Sequence, residues 1–223
     1  LQVASWGHPM TTGLSTIDLY FSGELLESEV ADCHYRERLI RLPHAGCCTT
    51  PIPAQLEPLD ADVVALLNQQ SGTRFIIAQT AYKFEPADDA MYVAIAQQTD
   101  GVFILLSGGK QDWAMQKISD RLKQSFEEQH LNPERVLLLP RLSTEKFYTL
   151  LEQCDVYLDC PSFSGYTTAW QTLQRGLPIV TLEGEFMRQR LAAGLLRFAG
   201  VTDTIAQTRE EYIKIAVKLA EES

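Results

Sequence analysis

The sequence predicts an α/β fold built on a Rossmann-like, doubly wound parallel sheet with helices on both faces. The first observation is strict alternation: from residue 74 onward, short apolar runs alternate with segments of helical periodicity. The second is that these runs are continuously apolar, as in VFILL and VLLL. Such runs are typical of strands buried on both faces of a parallel sheet.

The beginning of the chain is less regular. Val3–Trp6 predicts a short strand, and a loop rich in Gly, Pro and Thr follows over Gly7–Gly13. Further strands are predicted at Ile17–Ser22 and Leu39–Leu42, with a polar, partly helical stretch over Glu24–Glu37 between them.

The stretch Pro43–Pro58 carries four prolines, two cysteines and little periodicity. This composition predicts a linker or an interdomain crossover. We therefore divide the chain into residues 1–58 and residues 59–223, the second part being the Rossmann-like unit.

The regular region supplies the elements of the predicted sheet. Its strands are predicted at Arg74–Gln79, Val102–Ser107, Arg135–Leu139, Val156–Asp159 and Ile179–Leu182. The helices that follow them are predicted at Asp88–Gln98, Trp113–Gln129, Thr144–Gln153, Thr168–Arg175 and Phe186–Ala199. A last amphipathic helix is predicted at Arg209–Glu221.

Composition narrows the function classes. With a net charge of -10 and a pI near 4.9, the chain has no basic stretch to neutralise a nucleic acid. No apolar run reaches the roughly 18 to 20 residues of a membrane span.

The five cysteines lack the spacing of a disulfide framework or a zinc site, so we expect a cytoplasmic protein. The chain starts at Leu1 without a signal-like segment, and we treat it as a piece of a longer protein.

Ligands of open parallel sheets bind at the carboxyl ends of the strands. Lys83, in QTAYK, follows the first regular strand, and DCPSFSGYTTAWQ follows the fourth and opens a helix. Free N–H groups around Gly165–Thr168 and the Thr167 and Thr168 hydroxyls suit an anion such as a diphosphate. Gln171 lies about one turn further, within reach of a ribose hydroxyl. The alternatives are an ordinary N-cap and a solvated surface lysine.

Other candidates are weaker. Asp60-Ala61-Asp62 satisfies an Asp-x-Asp metal pattern, but helix capping explains it better. His8 follows a strand in the loop WGHPMTTG and is a candidate acid/base or substrate contact. Glu183-Gly184-Glu185 follows the fifth regular strand and suits a helix cap. The sequence lacks G-x-G-x-x-G and P-loop patterns, which disfavours dinucleotide oxidoreductases and NTPases.

The motifs, as an ordered set, resemble the O-GlcNAc transferase family (glycosyltransferase family 41) over essentially the whole chain. SWGHPMTTGLSTIDLYFSG and YRERLIRLP are similar to the end of its first catalytic lobe. TAYKFEP, CDVYLDCPSFSGYTTAWQTLQRGLPIVTLEGEFMRQRLAAGLLRFAG and EEYIKIAVKLA are similar to its second lobe. The set also resembles bacterial adhesin N-glucosyltransferases and bacterial SPINDLY-like proteins with tetratricopeptide repeats.

The resemblance implies a GT-B architecture of two Rossmann-like lobes. Residues 1–58 would be the C-terminal part of the first lobe plus the linker, and residues 59–223 the second, UDP-sugar-binding lobe. It also implies UDP-GlcNAc or a UDP-hexose as donor, a protein or peptide acceptor, inversion at the anomeric carbon and no metal or other cofactor. Tetratricopeptide repeats upstream are a further expectation.

The resemblance also assigns residues. Lys83 and His8 are the candidate catalytic residues: Lys83 would stabilise the leaving diphosphate, and His8 would face sugar and acceptor. The implied donor site consists of Gln79, Thr80, Tyr82, Lys83, Leu142, Gly165, Tyr166, Thr167, Thr168 and Gln171.

The chain departs from the family at several positions. Gln171 stands where an acidic residue is usual, Tyr166 stands where O-GlcNAc transferase has His, and RLSTEKFYTLL lacks its basic and His positions. Gly13 replaces a second His found in adhesin-type enzymes. We expect the chain alone to bind nucleotide weakly and to transfer nothing. The alternatives are an N-glucosyltransferase acting on Asn, a UDP-sugar epimerase and an inactive nucleotide-sugar-binding or scaffold module.

Overall fold

The computed structural model describes residues 1–52, 56–109 and 113–223. The predicted linker at 43–58 therefore lies partly outside the described residues. Two parallel sheets organise the chain, a three-stranded one near its beginning and a six-stranded one after residue 73.

The smaller sheet has the strand order β1-β2-β3, where β1 is Val3–Ser5, β2 is Leu19–Gly23 and β3 is Arg38–Leu42. The polar stretch between β2 and β3 forms 3₁₀ turns at Glu24–Leu26 and Ala31–His34 rather than an α-helix. It lacks the apolar spacing that lets a longer helix bury one face.

The larger sheet confirms the predicted doubly wound fold. Its parallel strands are β4 (Arg74–Ile77), β5 (Val102–Leu106), β6 (Val136–Leu139), β7 (Val156–Leu158), β8 (Ile179–Leu182) and β9 (Ile205–Ala206). The helices are α1 (Ala61–Asn68), α2 (Asp89–Gln98), α3 (Trp113–Glu128), α4 (Thr144–Leu151), α5 (Thr167–Gln174), α6 (Leu191–Phe198) and α7 (Arg209–Glu222). The spatial order is β6-β5-β4-β7-β8-β9, so strand order reverses between β4 and β7.

Two differences from the predicted elements have local causes. The predicted helix Phe186–Ala199 is divided into a 3₁₀ turn, Met187–Gln189, and α6, because Arg190 between them has φ -119° and ψ -2°. Strand β9 was not predicted, because two residues are too few to show periodicity.

The core lies on both faces of the larger sheet because side chains alternate along each strand. Ile76 packs in a cluster with residues of α1, α4, α5 and α6, whereas Phe75 and Ile77 pack on the opposite face with residues of α2, α3 and α7. A third cluster joins Tyr20 and Leu39 of the smaller sheet to Met187 and Leu191, so the smaller sheet packs against the beginning of α6 and the turn before it. Among the described residues, none of the helices combines the length and apolar character needed to cross a membrane.

Candidate functional site

A cleft of about 1060 Å³ opens where strand order reverses. One wall is the loop after β1, Trp6 to Pro9, and the others are the segments that follow β4, β5 and β6 and the beginning of α5. This is the position at which open α/β sheets bind their ligands.

The structure brings the sequence-predicted residues together along this cleft. Those that line it are His8, Gln79, Thr80, Tyr82, Lys83, Leu142, Tyr166, Thr167, Thr168 and Gln171. Gly165 does not line the cleft and lies behind it, against the side chains of Gln79 and Thr168. Asp60 and Asp62 are outside the lining, and Asp60 pairs with Lys146 instead, Oδ1 to Nζ 2.6 Å.

Lys83 ends a 3₁₀ turn, Ala81–Lys83, that follows β4. Its ammonium donates to the Ser164 carbonyl at 2.9 Å and lies 4.7 Å from the centre of the Phe163 ring. Burial lowers the pKa of Lys83, and the nearby Asp159 and Cys160 act in the opposite direction. The cleft therefore holds a partly desolvated cation, which interacts strongly with an anion.

Helix α5 points its N-terminus at the same place. It begins at Thr167, and the N-cap residue Tyr166 makes no side-chain capping hydrogen bond. The first N–H groups of a helix have no partner within it and carry a partial positive charge. The sequence predicted a free N–H at Gly165, but this group donates to Asp159 Oδ1 at 2.7 Å.

Behind the first turn of α5 lies a compact polar cluster. The Gln79 amide donates to the Tyr157 hydroxyl at 2.6 Å and to Thr168 Oγ1 at 3.3 Å, and the two hydroxyls are 3.0 Å apart. A Cβ at Gly165 would collide with Gln79 and Thr168, so a larger residue at this position would displace the cluster. The cluster fixes the orientation of the Thr168 side chain at the cleft wall.

Two site residues make contacts that the sequence did not indicate. Gln171 Nε2 donates to the Tyr148 hydroxyl of α4 at 3.2 Å. Tyr166 donates its hydroxyl to the Ala45 carbonyl at 3.1 Å, and Cys47 Sγ lies 2.8 Å from the Tyr166 hydroxyl oxygen. Tyr166 therefore ties the beginning of α5 to the segment that follows β3.

His8 is exposed at the cleft wall formed by the smaller sheet. Its loop is held at two points. Tyr20 donates its hydroxyl to the His8 carbonyl at 2.8 Å, and the buried Glu37 accepts hydrogen bonds from Thr11 Oγ1 at 2.6 Å and from the Thr12 N–H at 2.8 Å. Burial alone would raise the pKa of Glu37, but these hydrogen bonds outweigh burial and lower the pKa to about 2.

Replacing Glu37 by glutamine is therefore expected to lower the free energy of unfolding by about 2 kcal/mol at neutral pH. Because the folded-state pKa is depressed from 4.5 to about 2, this stabilisation is complete above pH 4.5 and is lost as the pH falls towards 2. Urea unfolding at neutral and acid pH measures it. Glu29→Gln, at an exposed position, is the control and should change stability by less than about 0.5 kcal/mol. Equal stability of Glu37→Gln and wild type at neutral pH would contradict the prediction.

Sequence reasoning missed the residue that organises the loop before α5. Asp159 is fully buried at the end of β7 and accepts hydrogen bonds from Ser164 Oγ at 2.6 Å, the Gly165 N–H at 2.7 Å and Thr181 Oγ1 at 2.8 Å. The sequence does contain one indication of this role, a carboxylate directly after the apolar run VYL. An ionisable residue that is buried at the end of a strand needs hydrogen-bond or charged partners nearby.

Glu183, which the sequence suggested as a helix cap, forms ion pairs instead. Its carboxylate contacts Arg190 at 2.7 Å and also binds Arg197. Within the described ranges, no group of three or more His, Cys, Asp and Glu residues is arranged to hold a metal ion.

The chain is similar to known glycosyltransferases. The model of Glycosyl transferase family 41 matches residues 74–223. The probable UDP-N-acetylglucosamine–peptide N-acetylglucosaminyltransferase SPINDLY of Solanum lycopersicum is 27% identical over 99% of this chain and 23% of its own length. The UDP-N-acetylglucosamine–peptide N-acetylglucosaminyltransferase of Caenorhabditis elegans is 28% identical over 80% of this chain and 14% of its own length.

The chain is also similar to solved structures. A mutant of Thermobaculum terrenum O-GlcNAc transferase superposes with a TM-score of 0.83 at 29% identity, covering 99% of this chain and 40% of that protein. A sucrose-phosphate synthase from Thermosynechococcus elongatus, at 13% identity and a TM-score of 0.50 over 93% of this chain and 55% of that one, shares the fold. The chain spans less than a quarter of the length of the curated relatives it matches.

Proposed function

The chain belongs to glycosyltransferase family 41, and on that premise we propose that it is the donor-binding half of an inverting, UDP-sugar-dependent protein glycosyltransferase. The donor would be UDP-GlcNAc or a UDP-hexose, and the acceptor a Ser or Thr of a protein. One observation carries the proposal: the Lys83 ammonium and the uncapped N-terminus of α5 both line the cleft where strand order reverses.

The proposed reaction needs positive charge at this position. An acceptor hydroxyl attacks the anomeric carbon and releases its proton to water, the bond from that carbon to the diphosphate oxygen breaks, and UDP leaves with the bonding electrons. Negative charge develops on the diphosphate, and a lysine together with a helix N-terminus lowers the barrier electrostatically. The proposal therefore assigns no metal to the departure of UDP.

The other cleft residues receive roles by position. Thr167 and Thr168 would donate hydroxyls to the diphosphate, and Gln171, one turn along α5, would contact the ribose. His8, on the opposite wall, would face the sugar and acceptor. Because the chain covers less than a quarter of the length of its curated relatives, the proposal is that transfer also uses groups outside these residues.

Calorimetric titration of the chain with UDP tests the proposal, with GDP and ADP as comparison nucleotides. Thr168→Ala is expected to weaken UDP binding by up to about tenfold, because one neutral hydrogen bond contributes about 0.5 to 1.5 kcal/mol. Thr168→Ser keeps the hydroxyl and should bind like wild type. Absence of UDP binding at millimolar concentration would contradict the proposal and favour an inactive scaffold module.

A further inference from the structure

We propose that Asp159 is a positioning residue for donor binding, which holds the loop between β7 and α5 in its binding conformation and keeps a negative charge behind Lys83. This inference rests on the proposed function, because it concerns the same site. Asp159 does not line the cleft, so it would act through other residues.

The hydrogen bonds of Asp159 connect it to both cationic features of the site. Ser164 donates its hydroxyl to Asp159, while its own backbone carbonyl accepts from Lys83 Nζ at 2.9 Å. Gly165, the next residue, donates its N–H to Asp159 and is followed by Tyr166, the N-cap residue of α5. One carboxylate therefore fixes the Lys83 acceptor and the approach of the chain to the helix N-terminus.

The rest of the surroundings make this arrangement rigid. Ser164 Oγ also accepts from the Ala192 N–H at 2.8 Å, and Thr181 of β8 holds the carboxylate from the strand side. A second buried carboxylate, Asp88, accepts from Ser162 of the same loop at 3.1 Å and from Arg209 at 2.6 Å. The middle of the loop and its approach to α5 are thus each anchored to a buried acid.

Charge supports the same assignment. The titratable groups that act on Asp159 or feel its charge are Lys83, Tyr157, Cys160 and Tyr212. Burial raises the pKa of the two tyrosines and the cysteine, so they stay neutral near pH 7. Burial leaves the pKa of Asp159 above its ordinary value, although its hydrogen bonds and Lys83 oppose that effect. The three hydrogen bonds that are donated to its oxygens favour the carboxylate form.

Asp159 and Lys83 are therefore the charged pair of this cluster, and Asp159 favours the protonated form of Lys83. Without the carboxylate, burial would lower the pKa of Lys83 further. UDP binding needs the ammonium, so affinity falls as the pH rises through the Lys83 pKa of the free protein. Removing the Asp159 charge should move this alkaline fall in affinity to lower pH.

The test is calorimetric titration with UDP from neutral to alkaline pH. Asp159→Asn is expected to bind UDP about tenfold more weakly at neutral pH. Its loss of UDP affinity at alkaline pH is expected to begin at a lower pH than in wild type. Ser164→Ala removes the loop contact and keeps the charge, so affinity should drop while the alkaline fall stays in place. Ser125→Ala is the matched control for Ser164→Ala: it removes a serine hydroxyl that donates to the Arg121 carbonyl on α3, outside the cleft lining, and should leave both binding readouts unchanged.

The outcomes separate this inference from the proposed function. Wild-type affinity and an unshifted pH profile in folded Asp159→Asn would overturn the inference while the proposed function stands. If Asp159→Asn does not fold, Ser164→Ala decides, and wild-type affinity in that variant overturns the inference. A wild-type chain that binds no UDP overturns both.

Discussion

Replacing Lys83 by alanine is expected to weaken UDP binding by about ten- to a hundredfold, the effect of losing a charge-assisted contact of roughly 1.5 to 3 kcal/mol. The ammonium is partly buried and lies over the Phe163 ring, so its interaction with a diphosphate is less screened than on an open surface. Calorimetric titration of both proteins with UDP gives the ratio of dissociation constants.

Lys214→Ala is the matched control for this experiment. Lys214 is exposed on α7 and does not line the cleft, so the variant makes the same change in net charge away from the site. Its UDP affinity should stay within about twofold of wild type, since long-range contributions of exposed charges are screened by salt. Equal weakening in both variants would show that net charge, rather than a contact with Lys83, determines binding.

The sequence predicted those elements of the fold that are long enough to show a periodic or continuous apolar pattern. The runs around Phe75 and Phe103 are long enough and apolar enough to identify buried parallel strands, and both lie in the larger sheet. The two-residue β9 and the break at Arg190 carry no periodic signal, because both depend on local backbone geometry.

For the site, the sequence predicted which residues line the cleft but not which side chains they contact. The rule that ligands bind at strand ends depends only on the fold, so Lys83 and Thr168 were predicted to face one cleft, and both line it. Side-chain partners depend on tertiary packing. Gln79 binds Tyr157, which is 78 positions away, and Tyr166 binds Ala45, which is 121 positions away. A local pattern cannot encode such pairs, and for this reason Asp159 and the contacts of Tyr166 were missed.

Replacing Glu183 by alanine is expected to lower the free energy of unfolding by about 3 kcal/mol at neutral pH. Its side chain is only 7% exposed and pairs with Arg190 and Arg197, while Gln207 donates to it at 3.2 Å. Truncation leaves two partly buried guanidinium groups without their shared partner. Urea unfolding measures the loss, and Glu185→Ala, at a side chain 64% exposed and paired with His34, is the control with an expected loss below about 1 kcal/mol.

The pH dependence of the Glu183 contribution distinguishes this ion-pair cluster from simple packing. Burial raises the pKa of Glu183, but the arginines and Gln207 outweigh it and lower the pKa below its ordinary 4.5. The stabilisation is thus complete above pH 4.5 and is lost as the pH falls through the lower, folded-state pKa. The stability difference between wild type and Glu183→Ala should shrink under acid conditions, whereas a packing defect would keep it constant. Arg190 is the N-cap residue of α6 and Arg197 lies in its last turn, while Gly194 of the same helix lies against the Leu25 carbonyl beside the smaller sheet. The ion-pair cluster therefore also supports the contact between α6 and the turn after β2.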